Sequence, residues 1–128
     1  MSIFKYSNIK KEEVMDNLFK TLGDENRLRI INLLRKGELC VCEIENILNT
    51  TQSNVSRHLT KLRNENIVSF EKQSQWTYYK INPKFIEENR SLYEYLESKM
   101  IENDKFIEDI KKLLAYKQSG LSCESINK

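Results

Sequence analysis

Apolar positions recur along the chain in short helical stripes set apart by Asn, Asp, Thr and Gly. Ile9, Val14, Leu18, Phe19 and Leu22 share one helical face, and the pattern stops near Gly23. "DENRLRIINLLRKGE" restarts it, with Asp24 as N-cap, Leu28, Ile31 and Leu34 as the stripe, and Gly37 as the stop. Val41, Ile44, Ile47 and Leu48 predict a third, short helix over "ELCVCEIENIL", ending near Asn49. "TTQSNVSRHLTKLRNENI" follows, with Thr51 or Gln52 at the cap and Val55, Leu59 and Leu62 as the apolar face. The link between these last two helices is about four residues, the length of a helix-turn-helix corner.

The period then changes. In "IVSFEKQSQWTYYKI", Val68 and Phe70 and then Trp76, Tyr78 and Tyr79 are strand formers around the polar tip "EKQSQ". This predicts a β-hairpin with a four- or five-residue loop. Asn82 as N-cap and Pro83 at N1 open a single long helix, striped by Ile86, Tyr93, Leu96, Met100, Ile107, Ile110 and Leu114. The expected fold is mainly α with a small β-hairpin: a winged helix-turn-helix with helices added at both ends. Residues 1–117 form one domain in this reading, and residues 118–128, small and polar, form a flexible C-terminal tail.

Composition narrows the class without changing the picture. The 128 residues are 39% hydrophobic and 31% charged, with one Pro and three Gly, as suits a helical globular chain. No stretch reaches the length of a membrane span and the N-terminus has no apolar leader core, so a cytoplasmic protein with reduced thiols and no membrane contact is expected. The net charge of +2 is small, but it is unevenly spread. Between residues 50 and 81, Arg57, Lys61, Arg63, Lys72 and Lys80 face only Glu65 and Glu71. The surplus coincides with the helix-turn-helix and the hairpin.

That coincidence gives the fourth helix a chemistry. A helix that reads the major groove needs polar, short or basic side chains on one face and an apolar face docked on its domain. Gln52, Ser53, Asn54, Ser56, Arg57 and Lys61 supply the first, and Lys72, Gln73, Ser74 and Gln75 of the hairpin are placed to reach flanking backbone or minor groove. An ordinary solvated amphipathic helix with a hairpin would show much of the same pattern. His58 stands at the edge between the outer face and the core, where packing competes with a role as a DNA contact.

Cys40 and Cys42 raise a separate question. In a regular α-helix, residues i and i+2 point about 200° apart, so the two thiols would not share one ion. Either they are small apolar filler, or the segment unwinds on binding a ligand and works as a switch. The chain's third cysteine, Cys123, lies in the tail.

In order along the chain, "ELCVCE", "QSNVSRHLTKLR" and "WTYYKI" closely resemble the ArsR family of metalloregulatory repressors, over the region from about Asn17 to Pro83. The resemblance implies a homodimer, joined through the N- and C-terminal helices, that binds operator DNA and releases it when a toxic metal or metalloid binds. It also implies that Cys40 and Cys42 are thiolate ligands for a soft ion. One departure is the wing tip "EKQSQW", where the family often carries Gly and Arg.

The remaining ligands bear on the ion. Zinc-binding members use His and carboxylates on the last helix, and residues 84–117 contain no His. Cadmium- and lead-binding members add N-terminal cysteines, and residues 1–39 contain none. Some arsenite sensors place a third thiol three residues after the pair, where this chain has Glu45. Arsenite or antimonite needs three sulfurs in a trigonal pyramid, which leaves Cys123, in the same subunit or across the dimer. Two protein sulfurs with water or a small thiol are the other arrangement. The expected function is an arsenite- or antimonite-responsive repressor. The alternatives are a thiol-redox or persulfide sensor that bridges Cys123 to one of the pair, and a Cd(II)- or Pb(II)-responsive repressor. An enzyme is not expected: no His or Lys adjoins the cysteines, no C-x-x-C motif is present, and no catalytic cofactor is implied.

Overall fold

A computed structural model describes residues 15–123. The elements in order are α1 (described over 15–22), α2 (Glu25–Leu34), β1 (Leu39–Cys40), α3 (Val41–Leu48), α4 (Gln52–Asn64), β2 (Val68–Gln73), β3 (Trp76–Ile81), α5 (Pro83–Glu88), α6 (Arg90–Met100) and α7 (Asp104–Gln118). The expected start of α1 near Ile9 lies outside the described residues. Among the described residues, no helix is long and apolar enough to cross a membrane.

Local side chains start the helices where the sequence places them. The Asp24 carboxylate accepts from the Arg27 N–H at 3.1 Å, and the Thr51 hydroxyl accepts from the Asn54 N–H at 3.2 Å. Asn82 caps α5 by accepting from the Lys84 N–H, with Pro83 at the first turn. Each supplies an acceptor to an N–H that the helix itself leaves unpaired. Residues 49–51 form the corner between α3 and α4, and Asn49 turns it in the left-handed region at φ 53°. Ile30, Leu33, Leu39, Ile44, Leu59, Leu62 and Ile67 are buried to 1% exposure or less and join α2, β1, α3 and α4 into one core. The result is a winged helix-turn-helix, as expected.

Three expectations need correction. Residues 38–48 are not one helix: Leu39 and Cys40 form β1, and α3 begins only at Val41. β1 pairs with β3 (Leu39 with Tyr79, Cys40 with Tyr78), so the wing is a three-stranded antiparallel sheet in the order β1-β3-β2. The wing turn is also tighter than expected. Gln73 pairs with Trp76, leaving a two-residue loop whose Ser74 adopts φ 61°.

The third correction concerns the single long helix, which is three. Asn89 (φ −130°) closes α5, and Asn103 starts α7 by accepting from the Lys105 and Phe106 N–H groups. The breaks reset the helical phase, so Phe106, Asp109, Leu113 and Tyr116 face inward on α7 while Leu114 is exposed. α7 is strapped to α2. Arg29 grips the buried Asp109 through two bonds of 2.7 and 3.0 Å, and Asn32 donates to the Phe106 carbonyl at 3.0 Å.

Candidate functional site: a three-thiol cluster beneath the wing

Cys40 is the last residue of β1 and the N-cap of α3, with extended backbone at φ −90° and ψ 169°. Cys42 is the second residue of the helix. Because Cys40 stands outside the helix, the 200° separation does not apply, and the two sulfurs lie 3.0 Å apart. No unwinding is needed to bring them together, which removes the geometric conflict that an all-helical segment would create.

Cys123 completes the group. The chain leaves α7 and returns over the start of α3, where the Cys123 sulfur meets both Cys40 and Cys42. Its Cα lies 6.8 Å from that of Cys40 and 6.1 Å from that of Cys42. One sulfur can form only one disulfide, so contact with two partners describes a cluster of three sulfurs. All three Sγ atoms lie within 4.8 Å of one another. Cys40 and Cys123 are buried and Cys42 is half-buried. The position has an electrostatic reason to hold thiolates: it adjoins the N-terminus of α3, where unpaired N–H groups and the helix dipole favour negative charge.

The cluster forms one wall of a cavity of about 290 Å³, whose other walls include Glu45, Gln52, Gln75, Trp76 and Thr77. Gln52 is the first residue of α4 and Gln75 sits at the wing tip. Thiols, α4 and wing therefore share one cavity. The indole Nε1 of Trp76 is buried without a hydrogen-bond partner among the described residues.

Sequence reasoning missed Glu43 and Tyr116. Glu43, nearly fully buried, accepts from the Cys40 N–H at 3.0 Å through one oxygen and from the Tyr116 hydroxyl of α7 through the other. Burial first, and then the bond to the carboxylate, push the Tyr116 hydroxyl far above its ordinary pKa, so it stays a donor. The Glu43 contact had a readable signal, since a carboxylate three residues after an N-cap is a capping-box spacing. Tyr116 had none.

The expected DNA-facing residues divide by exposure. Gln52, Ser53, Arg57 and Lys61 are exposed on the outer face of α4, and Lys72, Gln73, Ser74 and Gln75 are exposed on the wing. Asn54 and Ser56 are half-buried. Arg57 donates to the Asn54 side-chain oxygen at 2.9 Å, which holds both over the outer face, and Gln73 donates to Glu38 at 3.3 Å. His58 departs from the set. It is only 4% exposed, tucked against α2 with its Nδ1 3.4 Å from an Arg27 nitrogen, and burial holds its pKa below the usual value.

Comparison with known proteins agrees with this architecture. Residues 24–69, from α2 into β2, match the family described as "Bacterial regulatory protein, arsR family". The chain is 45% identical over 69 residues to the arsenic resistance transcriptional regulator ArsR2 of Pseudomonas putida, covering 53% of this chain and 60% of that one. It is 32% identical over 84 residues to a homolog of the cadmium resistance regulatory protein CadC from Staphylococcus aureus, covering 63% of this chain and 69% of that one. A homodimeric winged helix-turn-helix DNA-binding domain from Mycobacterium bovis superposes with a TM-score of 0.63 at 21% identity, over 74% of this chain and 88% of that one. The chain spans 53 to 62% of the length of the arsenic-resistance relatives it matches. The shared helix-turn-helix, the wing and the extent of the CadC-homolog match together carry one conclusion: this chain belongs to the arsR family of bacterial regulatory proteins.

Proposed function

We propose that the chain is a dimeric transcriptional repressor that leaves its operator when arsenite or antimonite binds Cys40, Cys42 and Cys123. The observation that carries this reading is the convergence of three sulfurs beside the first residue of the recognition helix and beneath the wing. Soft thiolates select thiophilic ions, and a trivalent metalloid takes three of them. The exchange balances: arsenous acid and three thiols give three As–S bonds and three waters, each thiol proton leaving with one arsenic-bound hydroxyl.

The route to DNA release is short. β1 is hydrogen-bonded to the wing strand β3, and Gln52 and Gln75 line the thiol cavity. The sulfurs are already in contact, so seating an ion among them spreads them around one centre, and this shifts β1 and with it the wing relative to α4. A protein that binds two separate regions of a duplex is sensitive to such a shift. Exposed apolar side chains on α1 (Met15, Phe19), on α7 (Leu114) and beyond it (Leu121) support a dimer built from the terminal helices.

Glu45 on the cavity wall favours a second reading, in which Cd(II) or Pb(II) takes the three sulfurs and a carboxylate oxygen. Fluorescence anisotropy with candidate operator duplexes tests both. The expected result is sequence-selective binding that weakens with salt and is abolished by arsenite, but not in Cys40→Ser. Release by cadmium alone would favour the second reading, and release by neither ion would refute both.

A further inference from the structure

We infer that Tyr116 is a positioning residue for the thiol site: with Glu43 it clamps the end of α7 so that Cys123 of the same subunit closes onto Cys40 and Cys42. This rests on the three-thiol reading of the site and concerns how the third sulfur is delivered. Glu43 has one oxygen on the Cys40 N–H and the other on the Tyr116 hydroxyl, so a single carboxylate ties the thiol pair's backbone to the last turn of α7. Both Glu43 and Tyr116 are more than nine-tenths buried, which shields the clasp from competing water.

The path from Tyr116 to Cys123 is itself built. The Ser119 hydroxyl donates to the Tyr116 carbonyl at 2.6 Å and accepts from the Leu121 N–H at 3.3 Å. Gly120 adopts φ 76°, a left-handed conformation that turns the chain back toward α3 and that a side chain would oppose. The clasp fixes where this arm starts, and the Ser119–Gly120 turn fixes where it goes. An unclamped tail would reach the pair only as one of many conformations, at the entropy cost of ordering each residue.

The test compares wild type, Tyr116→Phe and Gly120→Val at equal thermal stability. The native proteins are treated with diamide, which takes the two hydrogens of a thiol pair, and the bridges are mapped by mass spectrometry. Wild type is expected to form Cys123 bridges to Cys40 or Cys42 rapidly, with a roughly tenfold slower rate in both variants, as the effective concentration of the tail thiol falls. Arsenite release to a competing dithiol is expected to quicken by a similar factor, while DNA affinity without arsenite stays unchanged. A purely structural role for Tyr116 would move DNA affinity along with bridging. Equal bridging rates in wild type and both variants would overturn the inference. If Tyr116-dependent bridging persists in a wild type that binds no arsenite, the clasp stands and the effector reading falls.

Discussion

Cys40 and Tyr78 are partners across the β1–β3 ladder, so the thiol site and the wing belong to one sheet. Two residues before Tyr78 on the same strand stands Trp76, the chain's single tryptophan, which lines the thiol cavity. Arsenite is therefore expected to change the intrinsic tryptophan emission in wild type, by intensity or wavelength, and to leave it unchanged in Cys40→Ser and Cys42→Ser. A titration in which the serine variants respond like wild type would disconnect the wing from the thiols.

The outer face of α4 carries a second expectation. Arg57 is exposed and oriented by Asn54. It is a proposed base contact, and its replacement with Ala should weaken operator binding by about 1–3 kcal/mol and relax selectivity at one base pair. Lys72→Ala on the wing should instead weaken all duplexes alike and flatten the salt dependence by about one unit of slope. Anisotropy across a salt series separates the two effects.

His58 gives a pH dependence whose sign follows from its burial. Its pKa is lowered in the fold, chiefly by burial and further by Arg57 and Arg27, against the opposing pull of Asp24. Its neutral form is thus the one the fold accommodates. That contribution to stability is fully present above the unfolded value near 6.5 and is lost as pH falls through the lower folded value. Thermal midpoints of wild type should decline as pH drops below about 6.5, and His58→Gln should lessen this decline. Identical slopes in the two proteins would exclude the mechanism.

The α2–α7 strap is testable by denaturant. Asp109 is 1% exposed and held by two bonds from Arg29. Asp109→Ala leaves that guanidinium partly buried without its partner and should cost about 3–5 kcal/mol. Arg29→Met with Asp109→Leu removes both charges and should recover most of the loss.

The parts of this fold that were legible in the sequence are those set by short-range chemistry. Asp24, Thr51 and Asn82 cap helices through N–H groups two or three residues away, so their identity and spacing suffice. Cys40 does not read as a strand residue in the sequence, because its strand is two residues long and exists only by pairing with β3, far along the chain. Asn89 and Asn103 do not show as breaks in the sequence, because apolar residues continue on either side at helical spacing and the stripe hides a change of phase. Within the site, the Cys40–Cys42 pair was legible through the resemblance carried by "ELCVCE", not from its spacing, which on a regular helix points the two thiols apart. The arm that carries Cys123 was not, because it depends on Glu43 and Tyr116, 73 residues apart in sequence.

X-ray absorption at the arsenic edge of the arsenite-loaded chain counts the sulfurs of the proposed soft-ion site. Three sulfur neighbours in wild type, falling to two in Cys123→Ser, are expected. An arsenic shell made only of oxygen, or a sulfur count that Cys123→Ser leaves unchanged, would contradict such a site.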